Sequence, residues 1–185
     1  MSWLTGNEIS KQYEQGNIKI DPFDSAQINP NSYDYRLGNE LKILKFNSEF
    51  EKEPCIDPRL PMQYETIQIP TTGFLLQTPL AYIGYTQEKF GSNVYASLVT
   101  GKSSIGRLFI KNHACAGLVD QGFYGHITLE ITAKLPVLVF PGMRFGQIFW
   151  FLTEGDALLY NGRYHQHNKG LPSQVGNDWN GNKWK

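Results

Sequence analysis

Apolar residues along most of this chain fall in short runs of β type. Residues 41–46, 73–78, 81–85, 94–99, 127–131, 137–140 and 147–152 each gather a few aliphatic or aromatic side chains between Gly, Pro, Asn and Asp. Runs this short, bounded by turn formers, predict strands joined by turns. The clearest alternation sets Ile127, Leu129 and Ile131 against His126, Thr128, Glu130 and Thr132. A strand there would turn its aliphatic side chains to the core and Thr128 and Glu130 together to the other face. Only the N-terminus reads otherwise. Thr5 and Glu8 have capping-box spacing, Leu4 and Ile9 sit at the staple positions, and Tyr13 shares a helical face with Ile9. Gly16 suits the left-handed end of such a helix. The pattern predicts a mostly β sandwich or distorted barrel with a short N-terminal helix, not a βαβ array.

From about Asn161 the apolar runs give way to Gly, Asn, Gln, His and Lys. That stretch has too few apolar residues to pack alone. It reads as a disordered tail, the reading composition favours, or as a lid that orders over a ligand.

The 185 residues suffice for a single domain spanning 1–185, with about 161–185 as its tail or lid. Lys plus Arg (17) balances Asp plus Glu (17). A zero net charge argues against a general nucleic-acid or membrane-surface binder and leaves room for a local basic pocket. Charged residues make up 18%, below the roughly 25% usual for soluble domains, which hints at surface covered by other subunits. Cys55 and Cys115 form no disulfide framework, and no apolar run approaches the ~18 residues of a membrane span. A cytoplasmic setting is expected.

The chemistry concentrates between residues 101 and 130. Gly101-Lys102-Ser103-Ser104-Ile105-Gly106-Arg107 is cationic, rich in hydroxyls and flanked by glycine. It is not a P-loop, because Ala96 stands where that motif needs glycine. The continuation reads as a turn into a strand. Serine hydroxyls, backbone amides and a bidentate Arg107 would still suit phosphate oxygens, and the plain alternative is a charged surface turn. Glu130 can serve as a general base if burial holds its pKa high; the alternative is a solvated polar face. Asp120, in a turn, either bonds local amides or touches a sugar hydroxyl or a water. His165 and His167 lack further ligands for a structural metal site, and the zinc-deaminase signature is absent. Cys115 is expected to be a small buried hydrophobe.

Five segments together resemble the dCTP deaminase family of the dUTPase-like superfamily. They are Gln27-Ile28-Asn29-Pro30-Asn31-Ser32-Tyr33-Asp34-Tyr35-Arg36-Leu37-Gly38, then 101–107, then 116–130, then Pro141-Gly142-Met143-Arg144-Phe145-Gly146-Gln147, then 164–173. They stand in family order across nearly the whole chain. The resemblance implies a distorted β-barrel or jelly-roll-like subunit in a homotrimer, with active sites between subunits. It implies zinc-independent hydrolysis of dCTP to dUTP and ammonia, with Mg2+ carried on the triphosphate. Glu130, Ser103 and Arg107 match catalytic positions. Lys102, Ser104, Asp120, Thr128, Tyr160 and Arg163 match nucleotide contacts. His167 stands where the family commonly has a lid glutamine. Cys115 stands where many relatives have a threonine in the loop linked to inhibition by dTTP.

Deamination needs an activated water at cytosine C4 and protons for ring N3 and the departing amine. One carboxylate at Glu130 could relay all of these. Ser103 and a backbone carbonyl near 115–116 are candidates to hold the water, and Arg107 to offset developing negative charge. Two alternatives stand beside the dUTP-releasing reading. One is a bifunctional enzyme that also cleaves dUTP to dUMP and pyrophosphate, using a second water near Asp120. The other is a non-catalytic nucleotide-sensing trimer.

Overall fold

Thr5 opens the first element as the capping pattern predicts. In the computed structural model, which describes residues 2–165 and 169–184, its hydroxyl accepts the Glu8 N–H at 3.3 Å and starts helix α1 (Gly6–Glu14). Glu8 turns to Gln12, accepting from Nε2 at 2.6 Å, rather than back to the cap. Leu4 and Ile9 are buried, Tyr13 stacks on Phe23, and Gly16 leaves the helix at φ +76°.

The strands in chain order are β1 (Lys19–Asp21), β2 (Ile28–Asn29), β3 (Ser32–Arg36), β4 (Glu40–Lys45), β5 (Ser48–Phe50), β6 (Glu53–Cys55), β7 (Gln63–Gln68) and β8 (Phe74–Leu76). They continue as β9 (Ala81–Gly91), β10 (Ala96–Gly101), β11 (Ile110–Lys111), β12 (Leu118–Val119), β13 (Tyr124–Ala133), β14 (Val137–Val139) and β15 (Arg144–Phe151). A six-stranded sheet runs β11-β13-β9-β4-β7, with β1 also on β9. A five-stranded sheet runs β12-β10-β15-β3-β2, and β5–β6 and β8–β14 pair separately. The fold is mostly β with a short N-terminal helix, and among the described residues no barrel closes. This is the distorted jelly-roll form of the expectation.

Both sheets contribute to one core. Phe90 of β9 meets Tyr33 of β3 edge-on at 6.0 Å between ring centroids and lies 6.2 Å from Trp150 of β15. Leu129 and Ile131 of β13 are fully buried there, while Thr128 and Glu130 are partly exposed, as period two requires.

The segment 27–38 does more than form β2 and β3. Asp34 is fully buried, accepts from Asn29 Nδ2 at 2.8 Å and holds Lys102 Nζ at 2.6 Å. Glu88, equally buried, accepts from the Arg36 backbone N–H at 2.9 Å and from Arg36 Nε at 2.6 Å. A buried carboxylate left unpaired would be strongly destabilising, so these pairings fix Lys102 and Arg36 in place. Residues 103–106 lead into the expected turn toward strand β11. They form a single helical turn, α2 (Ser103–Gly106), because buried Ile105 anchors it while Lys102 C=O accepts from Ile105 and Gly106 N–H.

Candidate active site

Glu130 sits on β13 opposite Ile83 of β9, and Ile83 is opposite Lys42 of β4. Its carboxylate is 41% exposed, and it accepts the Ala114 N–H at Oε2, 3.1 Å away. His113 Nδ1 lies 2.7 Å from the same oxygen. The approach is not that of a well-aligned hydrogen bond, since neither ring nitrogen of His113 has such a partner among the described residues. It is an ion-pair contact when the ring is protonated. Burial alone would raise the Glu130 pKa, but the His113 contact and the Ala114 N–H outweigh it and hold the carboxyl below its ordinary 4.5. This reverses the expected sign: the acid is kept ionised by its neighbours rather than held high by burial. The same contact raises His113 above its ordinary 6.5, against a smaller opposing effect of burial.

The Glu130 carboxylate opens into a cavity of about 540 Å³, a size suited to a small-molecule ligand. Thr128, Asp120 and Tyr160 line it with Glu130, as do His113, His126 and Phe123. Four of the positions matched by resemblance therefore meet in one place. Asp120 arrives through the turn after β12, which Gly122 completes at φ +90°. Tyr160 is tied to that turn by its N–H to Gln121 C=O at 2.7 Å. His126 directs Nδ1 to Thr86 C=O at 2.8 Å, and burial, against smaller raising effects, lowers its pKa. Because a carbonyl only accepts, Nδ1 carries the proton of that hydrogen bond.

The cavity is closed by the chain's own C-terminal segment. Leu171, Pro172 and Ser173 form part of its wall. Leu171 N–H donates to Thr128 Oγ1 at 3.2 Å, Lys42 Nζ donates to Gly170 C=O at 2.6 Å, and Lys169 Nζ pairs with Glu40 at 2.6 Å. Residues 169–171 are therefore held against β4 and β13 by these bonds, unlike a disordered tail. Composition misled because main-chain bonds and the Lys169–Glu40 ion pair add to the packing of only two apolar side chains, Leu171 and Pro172. Arg163 works inside the same stretch, bonding Gln174 C=O and Asp178.

The segment 101–107 lies elsewhere on the chain. Lys102, Ser103, Ser104 and Arg107 do not line the cavity; Ser103, Ser104 and Arg107 are exposed, and Lys102 is engaged by Asp34. His167 lies outside the described residues. Cys115 is exposed, not buried. The loop turns the Ala114 N–H and Ala116 toward the Glu130 cavity and leaves Cys115 outward. Sequence reasoning missed His113. It follows the two-residue strand β11, whose pairing with β13 (Lys111 opposite Thr132) carries it to Glu130. No periodicity marks so short a strand. Among the described residues no three His, Cys, Asp or Glu side chains converge as a metal cage, and no helix is long and apolar enough to cross a membrane.

The fold and cavity define the class: a two-sheet β protein whose cavity is lined by Glu130, Thr128, Asp120 and Tyr160. Residues 3–153 match the family model described as dCTP deaminase-like. A protein of Cytophaga hutchinsonii named "dCTP deaminase, dUMP-forming" is 40% identical over 177 residues, covering 95% of this chain and 98% of its own. One of Clostridium botulinum with the same name is 37% identical over the same share of each chain. The crystal structure of a 2'-deoxycytidine 5'-triphosphate deaminase from Agrobacterium tumefaciens superposes with TM-score 0.62 at 22% identity, over 82% of this chain and 48% of that longer one. That likeness speaks for the fold. The chain belongs to the dCTP deaminase-like family.

Proposed function

We propose that this chain is a bifunctional enzyme converting dCTP and two waters to dUMP, ammonia and pyrophosphate. The observation that carries the deamination is the ionised Glu130 facing a nucleotide-sized cavity beside Thr128 and Asp120. The dUMP-forming reading is supported by the names of relatives aligned over 95% of the chain. It takes precedence over the release of dUTP with which the sequence reading began.

In the first half, Glu130 takes a proton from water as oxygen bonds to cytosine C4. Glu130 passes that proton to ring N3, then takes the proton of the new C4 hydroxyl and delivers it to the exocyclic amine, so that C4=O forms as the C4–N bond breaks with loss of ammonia. A carboxylate held below its ordinary pKa is in the form this step needs at neutral pH. In the second half, a water near Asp120 attacks the α-phosphorus, and the bond to the bridging oxygen breaks with loss of pyrophosphate. Ser103, Ser104, Lys102 and Arg107 would hold the triphosphate, with Ser103 and Arg107 also ordering the reacting water and offsetting charge. Thr128, Tyr160 and Arg163 would help to position base and lid, with His167 at the lid position given by the resemblance. Magnesium would arrive on the triphosphate as part of the substrate, with no zinc in the chemistry.

The phosphate residues stand apart from the cavity of their own subunit, which favours a homotrimer whose sites join Glu130 of one copy to Ser103 and Arg107 of the next. Exposed Trp3, Phe109 and Leu118 would be covered in such an assembly. dTTP is the natural inhibitor to test, and a cytoplasmic nucleotide pool the setting.

The test is to incubate the protein with dCTP and magnesium and resolve dUTP, dUMP, pyrophosphate and ammonia, then repeat from dUTP. dUMP with equimolar ammonia and pyrophosphate is expected. Accumulating dUTP would restore the monofunctional deaminase, and binding with no product would leave a nucleotide sensor.

A further inference from the structure

Lys42 is a buried lysine whose ammonium makes a short hydrogen bond to the carbonyl of Gly170, 128 positions later in the chain. Its ion-pair partner, Glu40, approaches only to 3.7 Å through Oε1, while Glu40 Oε2 accepts from Lys169 at 2.6 Å and from Gln68 Nε2 at 2.8 Å. Lys42 also stands over the Tyr64 ring at 5.3 Å. Burying an ammonium is costly unless its donors are met. Here the closing segment itself meets one of them.

The register explains the placement. Lys42, Ile83 and Glu130 occupy one cross-strand row of β4, β9 and β13, so their side chains leave the same face of the sheet. Lys42 is therefore in the row of the catalytic acid yet outside the cavity lining, under the point where the segment crosses. At that point the segment lies flat on β9: a Cβ at Gly170 would drive into the Gly84 carbonyl. One residue on, Leu171 N–H reaches Thr128, beside Glu130 on the polar face. Lys42 thus fixes the backbone just before the residues that wall the cavity.

We propose that Lys42 is a positioning residue of the reaction, holding segment 169–173 across the Glu130 cavity so that the wall is in place before the nucleotide arrives. Its kinetic consequences rest on the function proposed above; its effect on the segment does not.

The experiment compares the wild type with Lys42→Met, which keeps the apolar stem and removes the donors. Without added nucleotide, hydrogen exchange at the Leu171 amide should rise about ten- to hundredfold, the scale of a hydrogen bond to a charged group, while β13 amides stay protected. With magnesium and dCTP, kcat/KM should fall by a similar factor, mostly through KM. In chains ending at Asn161 the same substitution should change kcat/KM less than twofold, because the segment it holds is gone. Lys42→Arg, which keeps donors there, should restore most of the protection. If Lys42→Met does not fold, Lys42→Gln, whose amide falls short of Gly170, carries the same expectations. Unchanged exchange at Leu171, or an equal loss in full-length and shortened chains, would overturn the proposal. A wild type that turns over neither dCTP nor dUTP refutes the proposed function, and the exchange comparison still decides the role of Lys42.

Discussion

At the scale of residues, the carboxylate of Glu130 and the imidazole of His113 form one electrostatic unit. Glu130→Gln keeps size and polarity but removes the base. It should lower deamination by about 10²–10⁴-fold, the usual worth of general acid–base catalysis, while nucleotide binding measured by calorimetry persists. His113→Asn should leave burial as the main influence on Glu130, so its pKa rises. The acid limb of the kcat/KM profile, which follows ionisation of Glu130 in the free enzyme, should then move to higher pH. A limb that stayed put would show that His113 does not tune the acid. The contact stabilises the fold only within a window. Its Glu130 share is present above the ordinary 4.5 and lost as pH falls through the lower folded value. Its His113 share is full below 6.5 and lost as pH rises through the higher folded value. Glu130 and Thr128 could be read from the sequence because alternation on a long strand assigns each side chain a face. His113 could not, since its position follows from the pairing of a two-residue strand.

At the scale of elements, the apolar runs correspond to β4, β8, β9, β10, β13, β14 and β15, with ends shifted by a few residues. Strand β3 escaped because Ser32-Tyr33-Asp34-Tyr35-Arg36 carries a charge at its centre, yet its first four residues are buried. Asp34 is tolerated there because Asn29 and Lys102 come from elsewhere to meet it. Strand β7 escaped for the opposite reason: it is a mostly exposed edge strand without an apolar face. The closing segment defied composition because its anchors, Glu40 and Lys42, lie on β4. Removal of residues after Asn161 should therefore cost catalysis rather than folding. Thermal unfolding should shift by only a few degrees, and turnover should drop at least tenfold, on the order of the bonds to charged groups that are lost. Collapse of the folded protein would assign the segment to the core instead. The Lys169–Glu40 pair should hold the segment across neutral pH. Burial opposes the fall in the Glu40 pKa, but Lys169 and Gln68 outweigh it, so the anchor weakens as pH falls through that lowered value. Glu40 raises Lys169 in return, so the lysine's contribution fades only as pH climbs through its raised value.

At the scale of the whole molecule, the decisive question is how a cavity lined by Glu130 relates to Ser103 and Arg107, which lie outside it. If adjoining copies complete each site, then Glu130→Gln and Arg107→Ala proteins, each nearly inactive alone, should regain activity when unfolded and refolded together. For a trimer with random mixing, some interfaces carry both intact residues. A mixture no more active than its parents would require each subunit to hold its full machinery. The resemblance carries sites between copies as an expectation, but the pattern of residues along the chain cannot supply it, because chain order says nothing of which copy a side chain faces.

The buried Asp34 has a consequence for how such proteins diverge. Its partners Asn29, Lys102 and the more distant Arg144 (3.8 Å) come from separate stretches of the chain. A neutral residue at 34 would strand Lys102, and a neutral residue at 102 would strand Asp34, so neither can drift by itself. Descendants should exchange the two as a pair, and a chimera that takes its first forty residues from a lineage with a different pair should be poorly soluble until position 102 is changed to match.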